Sequence, residues 1–449
     1  MKKSKKNLIY LSVFLLGAGF VFSGQDPEIV EFIHKVKDSA VLLTSVEPGT
    51  VGNDLDGLKD IINDAQIVLL GESQHMMHEQ YLLKHRIIKY LVKEMNFNHV
   101  AIEDSFYGTI AINDYINGAN ISPEEALRNT GGWYLWDTVE MLAFINWLRE
   151  HNDSVNDKQK VTYSGIDIQD PWPGIRNLYD YFKRTDAEYA EYLESQKHIF
   201  EVFNQPIWFK IRYGYAALNQ EQKQNIERKL REIINRFNEF QEIYIGASNE
   251  KEFKNAFLTA RLLLKSHEFF MGFEESDQIG GNIREKAMFD NVNRILEESG
   301  KNCKLIIWAH NAHASKSPLD ILFPKNPEFN LELLGTMLKK KYGDTVKSIG
   351  ITSLGIKPAK ENIPIKADVL DHVLSDTGMD LFLLNLNELA NETDEKNLWE
   401  EKWKLTADQG GFISLAPASA YDGLFFIKYV TKVRLSETAA QRFSELFRP

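Results

Sequence analysis

Apolar positions along the chain fall into two patterns. The first is a set of short, largely apolar runs, each ending on a charged or polar residue. Ile67 to Leu70 leads into Gly71-Glu72, His99 to Ile102 into Glu103-Asp104, Val161 to Ile166 into Asp167, and Leu305 to Trp308 into Ala309-His310. Val346 to Thr352, Asp380 to Leu386 and Leu424 to Tyr429 extend the series. Runs of this length fit strands covered on both faces, and the helical periodicity between them predicts βαβ units with parallel strands. The second pattern fills residues 174–275, where Ile226, Leu230, Ile233, Ile234, Phe237 and Phe240 recur at helical spacing and Phe253, Phe257, Leu262 and Leu263 continue it. The expected fold is α/β, a mostly parallel central sheet flanked by helices, with a helical insertion subdomain at 174–280 between core segments 25–173 and 281–449.

The N-terminus adds a destination. Lys2, Lys3, Lys5 and Lys6 precede an apolar stretch from Leu8 to Phe22, and the small residues Ser23 and Gly24 follow. This order predicts a secretory signal peptide over residues 1–24 and an exported chain, periplasmic or extracellular. The apolar stretch is short for a spanning helix. The only membrane contact expected is through this leader, in the case that it stays uncleaved. The composition, 43% hydrophobic and 26% charged over 449 residues, is that of a globular protein with a large core. A net charge of −12 argues against nucleic acid as a partner, because binding phosphates needs clustered Lys and Arg. Cys303 is the single cysteine, so no internal disulfide forms; its place before an apolar run predicts a strand-edge or core residue rather than a nucleophile.

Ligands of open parallel sheets bind beyond the carboxyl ends of the strands. Four of the predicted strand ends carry ionisable groups: Glu72 with His75, Glu103 with Asp104, Asp167, and His310 with His313. Each has a plainer role open to it. The acids suit helix N-termini, and His75 would serve as a surface histidine, as His78 and His85 are expected to on their polar helix. Convergence at one edge of one sheet favours a site. Two chemistries stay open from the residues alone. A histidine beside a carboxylate can move protons. The pairs His75–His78 and His310–His313, with Glu and Asp nearby, also suit zinc or iron, although neither HExxH nor HxxEH occurs. Ser73 is a weak nucleophile candidate, since Gly71-Glu72-Ser73-Gln74-His75 has His75 where a G-x-S-x-G elbow needs its second glycine.

The stretch Leu70-Gly71-Glu72-Ser73-Gln74-His75, with Glu79 soon after, resembles the opening signature of the erythromycin esterase family. Val100-Ala101-Ile102-Glu103, Trp136 with Glu140, Trp147-Leu148-Arg149, Gly165-Ile166-Asp167, Arg284 with Met288 and Asn291, and Trp308-Ala309-His310-Asn311-Ala312-His313 resemble its later motifs. The resemblance covers roughly residues 60–430. It implies hydrolysis of a small-molecule ester or macrolactone with no metal and no cofactor, and a link to the antibiotic response. His75 would match the general base, with Glu72, Glu103 and His310 completing the catalytic group. His313, Arg86, Asp167, Arg284 and Asn291 would lie on the substrate side. The family's basic residue on the first helix matches either Lys84 or Arg86, and Arg86 is the one taken. Met76 departs from the pattern by replacing the glycine that often follows the first histidine, and bulky Met76 and Met77 are expected to reshape the pocket. The alternatives are a metal-dependent hydrolase built on the same residues and a non-catalytic periplasmic binding protein.

Overall fold

The computed structural model describes residues 26–128, 130, 132–322, 331–357, 366, 368–391, 397–408 and 411–446. The expected signal peptide lies outside the described residues. The strands are β1 (Val41–Leu42), β2 (Ile67–Leu70), β3 (His99–Ser105), β4 (Thr162–Asp167), β5 (Leu305–Trp308), β6 (Asp320–Leu322), β7 (Val346–Ile356), β8 (Leu381–Asn385), β9 (Trp403–Thr406), β10 (Phe412–Leu415) and β11 (Gly423–Val430). Each strand expected from the apolar runs is present. Eight strands form one sheet in the order β1-β8-β11-β7-β2-β5-β3-β4, parallel from β11 to β4, with β8 antiparallel to both its neighbours, β11 and the edge strand β1. The fold is therefore the expected mixed α/β type. A second sheet, β6-β10-β9, was not foreseen. Its strands are short, with alternation such as buried Trp403 and Leu405 against half-buried Lys404 and Thr406, too brief a pattern to stand out in the sequence.

The central strands are apolar throughout because both faces are covered. Ile67, Leu69, Leu305 and Ile307 face Met288, Val292 and Ile295 of the helix Asp277–Ser299. Val68, Leu70, Ile306 and Trp308 face Leu83, Ile87 and Leu91 of the helix His78–Met95, with Phe144 and Leu148 of the helix Val139–Ser154 behind. The His78–Met95 helix is thus covered on more than one side, and this corrects the reading of His85. It is buried against Phe144 and Trp147, with ring centroids 5.1 and 5.6 Å away, and burial pushes its pKa down to about 3. His78 is half-buried, its Nδ1 2.6 Å from Glu140 Oε1. Cys303 is buried, and burial pushes its thiol pKa up, as befits an inert core residue.

Residues between β4 and β5 are helical, from Trp172–Thr185 through Gln220–Glu239 and Glu250–Glu275 to Asp277–Ser299. Asn219 and Gln222 close a capping box at the start of Gln220–Glu239. Ile226, Leu230, Ile233 and Phe237 bury that helix's apolar face in a core of its own with Phe253, Leu263 and Phe270. Tyr107 and Ser266 tie this core to the sheet. The Tyr107 hydroxyl lies 3.1 Å from Ser266 Oγ, which donates to the Ile168 carbonyl at 2.7 Å, just past the end of β4.

Candidate active site

The strand register sets the site. Leu70 pairs with Trp308, and Trp308 with Ile102, so β2, β5 and β3 end side by side and the residues after them share one edge. Two glycines permit the close packing there. A Cβ on Gly71 would lie 2.0 Å from Asn311 Oδ1, which accepts from the Ile351 N–H. One on Gly165 would lie 2.5 Å from the Asp104 and Ser105 carbonyls, beside the irregular pairing between Ile102 and Ser105.

The turn after β2 carries Glu72 and His75. Glu72 is fully buried. Its Oε1 is 2.5 Å from His75 Nδ1, while Oε2 accepts from Lys84 Nζ at 2.8 Å and Trp308 Nε1 at 3.0 Å. Lys84 also donates to the Ala309 carbonyl at 3.0 Å. Burial alone would raise the Glu72 pKa, but Lys84 and His75 outweigh it and hold the carboxylate below its ordinary value. Burial lowers Lys84 to about 8. Tyr81, Trp136 and Trp308 wall the group: Tyr81 stacks on Trp136 at 5.8 Å and meets Trp308 edge-on at 5.2 Å. The turn leaves through Met76 at φ +62°, a left-handed conformation that favours glycine. Met77 is buried in the core against the sheet, and Met76 is half-buried and packs on the same core. Ser73 is held under the turn: Gln80 Nε2 donates to its Oγ at 2.8 Å, and its N–H donates to Gln80 Oε1 at 3.1 Å. Its hydroxyl has no histidine base in reach among these contacts.

Glu103, at the end of β3, accepts from Arg284 Nη2 at 2.7 Å and, through its other oxygen, from the His310 N–H at 2.7 Å. Arg284 reaches Asp167 at the end of β4 through Nε at 3.0 Å and Nη2 at 2.6 Å. His313 sits between two glutamates, with Nε2 3.1 Å from Glu103 Oε1 and Nδ1 2.5 Å from Glu285 Oε1. Burial opposes a charge on His313, but the two carboxylates prevail and raise its pKa to about 10. Asn291 donates to the Ile166 carbonyl at 2.8 Å and so fixes the end of β4 rather than facing a substrate. His310 keeps a pKa below its ordinary value, held there by burial and by the neighbouring His75 and His313 against the pull of Asp408 and Glu103. Its Nδ1 accepts from the Ala312 N–H at 3.2 Å and its Nε2 donates to the Ser73 carbonyl at 2.9 Å.

Arg86 is a correction. It donates to the Ser45 carbonyl at 2.7 Å and to Asp54 at 2.5 Å, on another side of its helix from the site. Lys84 is the basic residue of that helix which reaches Glu72. Two residues of the site went unpredicted: Glu285, beside His313, and Asp408. Asp408, between β9 and β10, accepts the His75 N–H at 3.1 and 3.3 Å, and its Oδ2 lies 3.7 Å from His75 Nε2. His75 Nε2 is also 3.8 Å from Glu103 Oε1. Burial would lower the His75 pKa, but Asp408, Glu103 and Glu72 together raise it to about 9.

The donors are poorly disposed for a metal. His75 Nδ1 is committed to Glu72, both nitrogens of His310 to backbone, and His313 to Glu103 and Glu285. The arrangement suits proton transfer. Nδ1–H of His75 points to a carboxylate, leaving Nε2 toward the crevice, as in a histidine oriented by an acid.

Comparison with known proteins decides the family. The profile described as erythromycin esterase matches residues 92–430. The chain belongs to the erythromycin esterase family. It is 26% identical to erythromycin esterase type II of Escherichia coli over 333 residues, 72% of this chain and 77% of that one. Solved structures share its fold. A succinoglycan biosynthesis protein matches with a TM-score of 0.71 at 21% identity, over 92% of this chain and 100% of that one. A mutant of the erythromycin esterase EreC in its open conformation matches with a TM-score of 0.66 at 17% identity, over 86% and 96%. Membership of the erythromycin esterase family supports a hydrolase acting on ester bonds of a small molecule.

Proposed function

We propose that the protein hydrolyses a carboxylic ester or lactone with water activated by His75. The 2.5 Å contact between His75 Nδ1 and Glu72 carries this reading, because it leaves Nε2 as the base beside two further carboxylates. Water held at Nε2 attacks the acyl carbon as its proton passes to the imidazole. The tetrahedral oxyanion collapses, the acyl–oxygen bond breaks, and the His75 imidazolium returns the proton to the departing alkoxide. The products are an acid and an alcohol, or one hydroxy acid from a lactone. Positive charge on His313 and Arg284 offsets the developing anion. Glu72 keeps the ring oriented and stabilises the imidazolium.

A macrolactone is the first substrate to test, since the type II relative is named for erythromycin. Ring opening would give macrolide resistance, and export through the leader would place it in the periplasm or outside the cell. The deciding experiment assays products from macrolides, simple esters and lactones in the presence of chelator. Wild type should turn over at least one substrate and His75→Ala none, with an unchanged circular dichroism spectrum. Turnover by folded His75→Ala overturns the assignment.

A further inference from the structure

The hairpin between β9 and β10 belongs to the small sheet, yet it delivers a carboxylate to the parallel-strand site. Asp408 meets His75 at two places, accepting the backbone N–H at 3.1 Å and facing the ring Nε2 at 3.7 Å. Its Oδ2 is also 3.8 Å from His310 Nε2. The Gln74 side chain donates to the Ala407 carbonyl at 3.3 Å, so two neighbouring residues of the turn donate to two neighbouring residues of the hairpin. Buried Asp371 accepts the Thr406 N–H at 2.6 Å and holds the strand that leads to Asp408. Of the carboxylates around His75, Asp408 has the most open side chain, 29% exposed against 4% for Glu103 and none for Glu72, so it stands on the solvent side.

We infer that Asp408 is a positioning residue of the hydrolytic site, clamping the Glu72–Met76 turn through the His75 N–H and stabilising positive charge on the His75 ring. This rests on the reading of His75 as the base. The groups facing that ring are Glu72 from its own turn, Glu103 from β3, His310 after β5, Tyr81 from the helix and Asp408 from the hairpin. Lys84 and Arg284 stand behind the two glutamates. The Glu72 and Glu103 charges are balanced by these partners; the described side-chain contacts of Asp408 are with His75 and His310. An amide in its place keeps an acceptor for the N–H and removes the charge.

The test compares Asp408→Asn and Asp408→Ala with wild type, in the full chain and with thermal melts as a control for folding. The readouts are the pH profile of kcat/KM and the NMR titration of the His75 imidazole. In Asp408→Asn, both the titration and the rising limb should move about one pH unit lower, the size expected for losing one nearby opposite charge. In Asp408→Ala the same shift should come with a kcat loss of about tenfold, on the order of one lost hydrogen bond, which Asn restores. A His75 titration unmoved in folded Asp408→Asn overturns the inference, as does a kcat in Asp408→Ala equal to wild type. Because the titration needs no substrate, it is separable from the hydrolytic reading. A shifted titration with turnover surviving in His75→Ala would refute the base while keeping the electrostatic coupling.

Discussion

Lys84 Nζ and Glu72 Oε2 lie 2.8 Å apart, and neither side chain has any exposed surface. Such a pair is costly to remove from water, and it persists because each member has further partners. Lys84 lies 4.9 Å above the Trp308 ring and bonds Ala309, while Glu72 holds His75 and the Trp308 N–H. Removing one partner strands the other. Lys84→Met should lose about 3–5 kcal/mol of stability in urea unfolding, and turnover with it. Arg86→Met should also destabilise the chain, since Asp54 loses its cation, but kcat of the folded fraction should stay within about twofold of wild type, because the contacts of Arg86 lie outside the crevice. Equal kcat losses in the two variants would contradict the placement of Lys84.

Glu72→Gln tests orientation separately from charge removal at the ring's other nitrogen. The amide can hold the wrong tautomer of His75, as in other histidine–acid pairs, so kcat should fall about 10⁴-fold with KM little changed. The fold should survive, because Lys84, already lowered to about 8, can shed its proton when its partner is neutral. A loss under tenfold would remove Glu72 from the mechanism.

The His75 pKa of about 9 gives turnover a direction with pH. A base must be unprotonated, and at pH 7 about one ring in a hundred is free, so kcat/KM should climb roughly tenfold per pH unit from 7 and level near 9. A profile flat between pH 6 and 9 would exclude His75 as the titrating base.

Asp371 makes a stability prediction. Burial raises its pKa from 3.8 to about 6, against the hydrogen bonds from Thr352 and Thr406 that lower it. An acid whose folded pKa is raised holds its proton more tightly in the native state. Its contribution is most favourable below the unfolded pKa and is lost as pH rises from about 4 through about 6, up to about 3 kcal/mol. Asp371→Asn has no such titration. The stability of Asp371→Asn minus that of wild type should therefore rise across this window in urea melts at pH 4, 5 and 7. A constant difference would refute the raised value.

Met76→Gly addresses the departure from the family pattern. Relief of the left-handed conformation, about 1–2 kcal/mol, opposes the lost packing and the greater freedom of glycine in the unfolded chain. Stability should change by about 1 kcal/mol at most, and relative KM values for large and small esters should not change, since Met76 packs on the core. A shift in that size preference would place the side chain in the crevice.

The strand ends were legible because long apolar runs leave little choice of element, and the residues following them inherit one edge of the sheet. The direction of β8 was not, since an apolar run has no polarity. Lys84 and Arg86 stand about 200° apart around their helix, but both are buried, so no solvent face in the sequence told them apart. Glu285, which meets His313, was hidden beside Arg284 in the same helix. Asp408 had no local signal: it is one acid in a polar turn between short strands, and its role exists only through the packing of the small sheet against the turn after β2.

β2 lies between β5 and β7. The strand that presents Glu72 and His75 thus has neighbours made more than two hundred residues later, and the hairpin clamp at Asp408 comes later still. During synthesis, the first half of the chain carries His75 with Glu72 and Lys84 but without β5 and β7, the strands on either side of β2. A chain cut short before Asp408 would lack both the hairpin that meets the His75 turn and β11 of the central sheet, and with them part of the frame around His75.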